Sequence, residues 1–333
     1  HYKPLQLSLF IVSYNNSYVS STPLVTIGSK NYYFGDIFTE STMSGNCNGT
    51  QCIVSCSCKA GWTDIKPSSG GYAIVNSPRI YAHTSTTYST RSTYSVSSTP
   101  QQKTCYKKVT CEDIGYFSAE PANYTCNKFT VKLGSVDGTC YRNCYGYFYL
   151  HMSYASTLTS RKESNFKNDA NVTTCSGNKI LVGRYHSGDE NGTSQLKCGT
   201  FHVHSSENTS TSSCYSGLYG FTVTVENTYW TDWKGEKGSS FNAPYGYVII
   251  GREHSGDERG KTRYLVGKVY VSNGKNKSTA TLYDATTTAS CKESKCGWVE
   301  KTGPYMMTGR RHDGDENGQT TYTFKKGKVY LTY

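Results

Sequence analysis

The chain has 333 residues, 35% of them hydrophobic, with 14 cysteines, 30 tyrosines and a formal net charge of +11. Its length allows two or three domains, and the lack of a sustained 3.6-residue apolar period excludes a mainly helical protein. The positive charge is spread along the chain without a recognisable nucleic-acid-binding module, and no apolar run reaches the length of a membrane span, so neither partner is predicted.

The first predicted element is an amphipathic β-strand near the N-terminus. Leu5, Leu7, Leu9 and Ile11 fall on one face of an extended chain, with polar residues such as Gln6 opposite. Such a strand either pairs within its own domain or adds to the sheet of a neighbouring subunit. Both arrangements are compatible with the alternation.

This segment, Tyr2 to Tyr14, resembles the donor strands of extracellular pilus subunits, which complete the sandwich of the next subunit. The resemblance implies head-to-tail polymerisation of identical chains. The chain also opens on His1 rather than Met, which is typical of an exported protein after its leader has been removed.

The cysteines predict disulfides rather than a zinc site. Several form close pairs with irregular gaps, for example Cys47 with Cys52 and Cys105 with Cys111, and these gaps do not match zinc-ligand spacing. An oxidising compartment is therefore expected, with Cys291 and Cys296 bridged as a local clip. Seven N-x-[ST] sequons are candidate N-glycosylation sites: Asn15, Asn48, Asn123, Asn171, Asn191, Asn208 and Asn276.

The chain's richness in Ser, Thr and Tyr favours strands with polar outer faces, so we predict an all-β protein. It would consist of two or three disulfide-stabilised, sandwich-like modules with repeated β-hairpins. The predicted segments are an N-terminal strand and linker over residues 1–42, a Cys-rich β domain over 43–170, a β domain with two repeats over 171–289, and a C-terminal repeat over 290–333.

Three stretches carry the same pattern, starting at Leu181, Ile249 and Met307. Each is an apolar run followed by Gly-Arg-x-His, Gly-Asp-Glu-x-Gly and a second β-rich run. This order predicts a β-hairpin with an acidic turn, bracketed by glycines where the backbone needs positive φ. Because catalytic constellations are seldom triplicated along one chain, the repeat indicates a multiplied structural module.

The polar residues of the repeat are the main candidate site. They are Arg184, His186, Asp189, Glu190, Arg252, His254, Asp257, Glu258, Arg310, His312, Asp315 and Glu316. Four interpretations are open: arginine and histidine neutralise the carboxylates that shape the turn, the cluster binds sugar with nearby tyrosines, neighbouring loops combine to bind calcium, or a histidine and a carboxylate act as an acid–base pair.

Apart from that calcium hypothesis, no cofactor is predicted, and no catalytic motif of a known type is found. His202 and His204 share one strand face and either contribute to a metal site or are ordinary edge histidines. We therefore predict a non-enzymatic, extracellular glycoprotein that self-assembles into a fibre or surface coat by β-strand addition. The alternative is a secreted carbohydrate-binding adhesin whose partner is a glycan.

Overall fold

The structure is a computed structural model. It describes residues 22–43, 52–77, 83–88, 91–96, 102–158, 161–162, 171–188, 192–208, 216–256, 260–315 and 317–333. Within these ranges the chain forms 25 strands, one four-residue α-helix and two 3-10 helices. The prediction of an all-β fold with disulfide-stabilised modules and repeated hairpins is confirmed. None of the helices in these ranges is long and apolar enough to cross a membrane.

The chain divides into two compact units: unit 1 comprises residues 1–121 and 126–143, and unit 2 comprises residues 122–125 and 144–333. The predicted boundaries near residues 170 and 289 both fall within unit 2. Strands are numbered in chain order. One of them, β10 (Val136–Thr157), begins in unit 1 and ends in unit 2.

Unit 1 is built from short antiparallel pairs. Its strands are β1 (Val25–Ile27), β2 (Lys30–Tyr32), β3 (Phe38–Met43), β4 (Cys52–Cys58), β5 (Tyr72–Asn76), β6 (His83–Tyr88), β7 (Arg91–Val96), β8 (Thr104–Lys108) and β9 (Thr125–Leu133); helix α1 is Phe34–Ile37 and a 3-10 helix is Glu112–Ile114. The pairs are β1 with β2, β3 with β4, β5 with β8, β6 with β7, and β9 with β10. Ile37, Phe38 and Trp62 belong to its apolar core, which the disulfides Cys58–Cys105 and Cys111–Cys140 cross-link.

Unit 2 contains the three repeats, and each repeat belongs to a module of five strands that we name a to e. Module 1 has β10, β11 (Arg161–Lys162), β12 (Asn171–Thr174), β13 (Ile180–Ser187) and β14 (Thr193–His204). Module 2 has β15 (Thr222–Trp230), β16 (Lys234–Gly235), β17 (Ser239–Asn242), β18 (Tyr247–Ser255) and β19 (Lys261–Ser272). Module 3 has β21 (Thr281–Thr287), β22 (Cys291–Lys292), β23 (Gly297–Glu300), β24 (Tyr305–Asp313) and β25 (Gln319–Thr332), and β20 (Lys277–Thr279) lies between modules 2 and 3.

The modules are joined in a closed ring by exchange of strand c. Strands d and e form the predicted hairpin in all three modules, and strands a and b pair with the outer edge of e. Strand c, however, pairs with strand d of the next module: β12 with β18, β17 with β24, and β23 with β13. Unit 2 is therefore a cyclic arrangement of three modules rather than a row of independent hairpins.

The exchange of strand c explains why the Gly-Arg-x-His motif of each repeat begins with glycine. A Cβ atom added to Gly251 would lie 2.8 Å from Thr174 Cγ2 and 3.0 Å from the Thr173 carbonyl oxygen, both on strand c of the preceding module. A Cβ atom on Gly183 or Gly309 would likewise meet the c strand of the preceding module, at 2.7 Å from Glu300 Cβ and 2.5 Å from Asn242 Oδ1. Only a residue without a side chain lets the neighbouring backbone approach so closely.

Candidate functional site

The repeated arginines and histidines point into the interior of unit 2. Arg184, Arg252 and Arg310, and likewise His186, His254 and His312, are each at most 7% exposed. They lie on the d strands, and these three strands pack against one another. The ring of modules thus brings together side chains that are about 60 residues apart in sequence.

One carboxylate, Glu293, lies at the centre of this group, which we call the ionic core. Its Oε1 accepts a hydrogen bond from Arg184 Nη1, and its Oε2 accepts one from Arg310 Nη2 at 2.6 Å. His312 Nδ1 lies 3.0 Å from the same Oε2. Charge-assisted bonds of this kind are the strongest that a buried carboxylate can form, so Glu293 links modules 1 and 3.

Two tyrosines complete the contacts of the arginines. Arg184 donates to Tyr322 Oη at 2.8 Å, and Arg310 lies 3.4 Å from Tyr264 Oη. Both phenols come from the same position of strand e, and module 1 has Leu196 there, as the register shows. The threefold pattern is therefore incomplete in the module 1 position, where Leu196 and Arg252 line a small polar cleft.

Local structure fixes Glu293 in place. It opens a 3-10 helix, Glu293–Lys295, in a loop that the disulfide Cys291–Cys296 closes. Its amide donates to the Gly318 carbonyl at 3.0 Å, and the following Ser294 carbonyl accepts from the Gly188 amide at 2.8 Å. The loop is thus held by the turns of two hairpins, and the predicted clip between Cys291 and Cys296 is confirmed.

The charges of the ionic core shift the ionisation of its members in a definite direction. Burial on its own raises the pKa of Glu293, but Arg310, Arg184, the hydrogen bond from His312 and Arg252 together hold that pKa well below its usual range. Burial likewise opposes the charge on Arg310, yet Glu293 keeps its pKa well above normal. Glu293 is therefore ionised at neutral pH, as a buried carboxylate is when it is surrounded by cations.

A second carboxylate occupies the equivalent place in module 2. Glu236 follows β16 directly, as Glu293 follows β22, and its Oε1 lies 3.3 Å from His254 Nε2. The other nitrogen of that ring, Nδ1, lies 2.8 Å from Thr262 Oγ1. In module 1 the sequence places Glu163 directly after β11, but this residue lies outside the described ranges.

The described turn acid does not take part in the ionic core. Asp315 is exposed, and its carboxylate accepts from the Asn317 amide at 3.0 Å. The other turn acids, Asp189, Glu190, Asp257, Glu258 and Glu316, lie outside the described ranges. The carboxylate that binds Arg184, Arg310 and His312 is thus Glu293, which lies outside the repeat. The sequence had suggested that the acids of the turn would be the partners of these residues.

The geometry of the ionic core favours one of the four interpretations of the repeat and disfavours the other three. Burial of the arginines and histidines removes them from the surface that a sugar would contact. The guanidinium groups around Glu293 repel calcium, and with its lowered pKa Glu293 is a poor general base. Within the ranges described, no group of three His, Cys, Asp or Glu side chains is arranged to hold a metal ion. The arrangement fits a structural role best.

The other predicted residues are placed as follows. His204 is buried, with its ring edge-on to His151 at 6.0 Å, and burial, His151 and His202 lower its pKa. Three sequon asparagines are exposed: Asn123, Asn208 and Asn276. The side chain of Asn171 and residues Asn15, Asn48 and Asn191 lie outside the description, as do the predicted assembly residues Leu5, Leu7, Leu9 and Ile11.

Sequence reasoning missed Glu293, Glu236, Tyr264 and Tyr322. A signal for the carboxylates was present, because a glutamate ends the tripeptides Arg161-Lys162-Glu163, Lys234-Gly235-Glu236 and Cys291-Lys292-Glu293, each ahead of a repeat. Comparison of the chain with family models, with curated proteins and with solved structures finds no match.

Proposed function

We propose that the chain is a non-enzymatic structural subunit of an extracellular fibre or surface coat, in which the N-terminal segment of one copy adds as a strand to unit 1 of the next. Among the residues that the structure describes, ten cysteines are disulfide-bonded, Cys126 and Cys144 included. This supports an oxidising environment. The ionic core supports a structural role for the repeats.

The observation that carries the proposal is an apolar cleft in unit 1. The cleft has a volume of about 300 Å³ and is lined on two sides by strands β1 and β5. Its apolar lining residues include Val25, Ile27, Val109, Ile114 and Ile74, and Ile74 is 56% exposed. An exposed isoleucine that lines an apolar cleft adds to the apolar area that a partner can bury there.

The strands that line the cleft each have an edge at which a further strand can pair. In the described ranges β1 pairs with β2 alone, and β5 pairs with β8 and makes one bridge from Tyr72 to Gly134. Beyond that bridge, no described strand pairs with the second edge of β1 at Thr26 or of β5 at Ile74, and both residues line the cleft. Addition of an extended peptide to such an edge supplies main-chain hydrogen bonds, and the cleft selects the side chains.

The N-terminal segment has the side chains that this cleft would select. Leu5, Leu7, Leu9 and Ile11 alternate with polar residues, so a single face can enter an apolar cleft while the other stays in water. Each buried side chain would contribute about 1.5–3 kcal/mol before ordering costs are subtracted. Because donor and acceptor are different surfaces, the contact is heterologous and an unclosed series of contacts makes a filament.

The proposal is tested with a chain that lacks residues 1–14 and a synthetic peptide of those residues. We expect the shortened chain to fold but not polymerise, and to bind the peptide with a measurable affinity by fluorescence anisotropy. A peptide with Leu7→Ser and Leu9→Ser is the matched control. Ile74→Asp in the cleft should abolish binding, whereas Ile65→Asp, at an exposed isoleucine outside the cleft lining, should not.

Two results would overturn the proposal. One is equal binding of the native and control peptides. The other is a full-length chain that sediments as a monomer at high concentration and shows no filaments by negative-stain microscopy.

A further inference from the structure

An open patch of tyrosines lies on the outer face of unit 2, across strands β21, β25 and β10. We call it the tyrosine face and define it as Tyr145, Tyr147, Tyr149, Tyr283, Lys328 and Tyr330. The register places these residues on one face, because Tyr147 pairs with Tyr330, Tyr149 with Lys328, and Tyr283 with Lys326, which is on the same face of β25 as Lys328. Directly paired residues in antiparallel strands point to the same side of the sheet.

Two of the rings are exposed, the other three are half-buried, and the strands that carry them are held in place. Tyr147 is 55% and Tyr330 is 47% exposed. The ring of Tyr330 stacks on Tyr145 at 5.7 Å and meets Tyr147 edge-on at 5.2 Å. The alternate residues Phe148 and Val329 are buried beneath them, so the strands that carry the rings are fixed by the core. Such a surface loses little conformational entropy when a ligand binds.

The chemistry of the tyrosine face suits a polyhydroxylated ligand better than a protein. Its outward positions, together with Thr281 and Thr332, carry tyrosine, threonine and lysine but no aliphatic side chain. Tyrosine is common at protein–protein interfaces too, but the centre of such an interface is rich in apolar side chains and depleted of lysine. A tyrosine offers a flat apolar ring and a hydroxyl that both donates and accepts, which matches the C–H face and the hydroxyl edge of a sugar.

Lys328 is the group of the tyrosine face that can bind an anion, whereas the Glu207 carboxylate, which is hydrogen-bonded to Tyr283, is paired with Lys326. Lys328 lies 4.6 Å from the centre of the Tyr283 ring, and no carboxylate of the described residues forms an ion pair with it. Its neighbour Lys326 is instead bound by Glu207 and Asp284, each at 2.8 Å. One lysine is thus neutralised within the protein, and the other is available to a sulfate or carboxylate group in a chain whose net charge is +11.

We propose that the tyrosine face binds a linear anionic polysaccharide, whose sugar rings stack on Tyr147 and Tyr330 while an acidic group binds Lys328. From Tyr145 to Tyr149 the face extends about 13–14 Å along β10, which is the length of a short oligosaccharide. The inference goes beyond fibre assembly, since its residues belong to unit 2 and the proposed strand acceptor belongs to unit 1. It attaches the predicted glycan partner to a definite surface.

The test measures binding of the full chain to dextran sulfate, with uncharged dextran as the comparison, by isothermal titration calorimetry. The paired change Tyr147→Ala and Tyr330→Ala should weaken binding at least tenfold, because the stacking rings are lost. The matched control is Tyr154→Ala with Tyr219→Ala, two exposed tyrosines outside the tyrosine face. Lys328→Gln should reduce the slope of log affinity against log salt by about one, as for other dense polyanions, and Lys237→Gln, at an exposed lysine elsewhere, should not.

A second readout uses the unaltered chain. Dextran sulfate should protect Tyr147 and Tyr330 from hydroxyl-radical oxidation and leave Tyr219 unprotected. The inference is overturned if the paired variant binds as tightly as the native chain, if the control pair weakens binding equally, or if protection is the same at Tyr147 and Tyr219. None of these results depends on whether the chain polymerises.

Discussion

Replacement of Glu293 by glutamine tests whether the ionic core holds the modules of unit 2 together. The change keeps the size of the side chain but removes the charge that binds Arg184 and Arg310. Removing one partner of a buried ion pair costs about 3–5 kcal/mol. Because Glu293 is shared by two arginines and His312, we expect the upper part of that range. For a unit of this size the loss corresponds to a fall in Tm of about 8–20 °C.

The assay is urea unfolding followed by tyrosine and tryptophan fluorescence, with calorimetry for Tm. The control is Glu226→Gln, which removes a half-exposed carboxylate bound to Lys277 at 2.6 Å. Exposed pairs contribute roughly 0–1 kcal/mol, so this variant should be nearly as stable as the native chain. Adding Arg184→Met to Glu293→Gln should cost less than the sum of the two changes, since it removes one stranded charge. A loss for Glu293→Gln below about 1 kcal/mol would refute the reasoning.

Three further predictions concern the same unit. Folding lowers the pKa of Glu293, so its stabilising effect is present above the unfolded pKa of about 4.3 and is lost as pH falls through the folded pKa. The urea midpoints of the native chain and of Glu293→Gln should therefore converge on acidification. A difference in midpoint that stays constant with pH would contradict this. Gly251→Ala should destabilise by about 1–3 kcal/mol through the clash with Thr174, whereas Gly235→Ala, with open space around it, should be near neutral in the same urea titration. Replacing Cys291 and Cys296 by serine should lower the free energy of unfolding by about 2 kcal/mol, as measured by calorimetry, because the disulfide closes a short loop. An unchanged Tm would show that the clip does not position Glu293.

The sequence predicts the local parts of the fold well. Strand composition and turn glycines identify the hairpins of the three repeats, and the spacing of Cys291 and Cys296 identifies their bridge. The exchange of strand c could not be predicted, because its inward residues are Thr173, Phe241 and Val299, which share no residue type. A short strand without a repeated pattern gives no indication of its partner when that partner lies about 70 residues or more away.

The same limit explains the candidate site. Arginine and histidine on a β-hairpin are normally expected near the surface, and a nearby turn acid is the obvious partner. The structure instead supplies Glu293 from the loop between strands b and c, beyond the reach of any local rule. Only the recurrence of a glutamate after each short b strand pointed to it, and a single residue type at three positions is a weak signal without a known topology.

The exchange of strand c in a closed ring fixes the number of repeats. In an open array a terminal copy can be gained or lost, because each repeat contacts only its neighbours. Here the c strand of each module pairs with the d strand of the next module. Loss of one module therefore leaves one d strand without a c partner and one c strand without a d partner. A chain of this kind can diverge inside each copy, as Leu196 in place of tyrosine shows, but it cannot grow or shorten one repeat at a time.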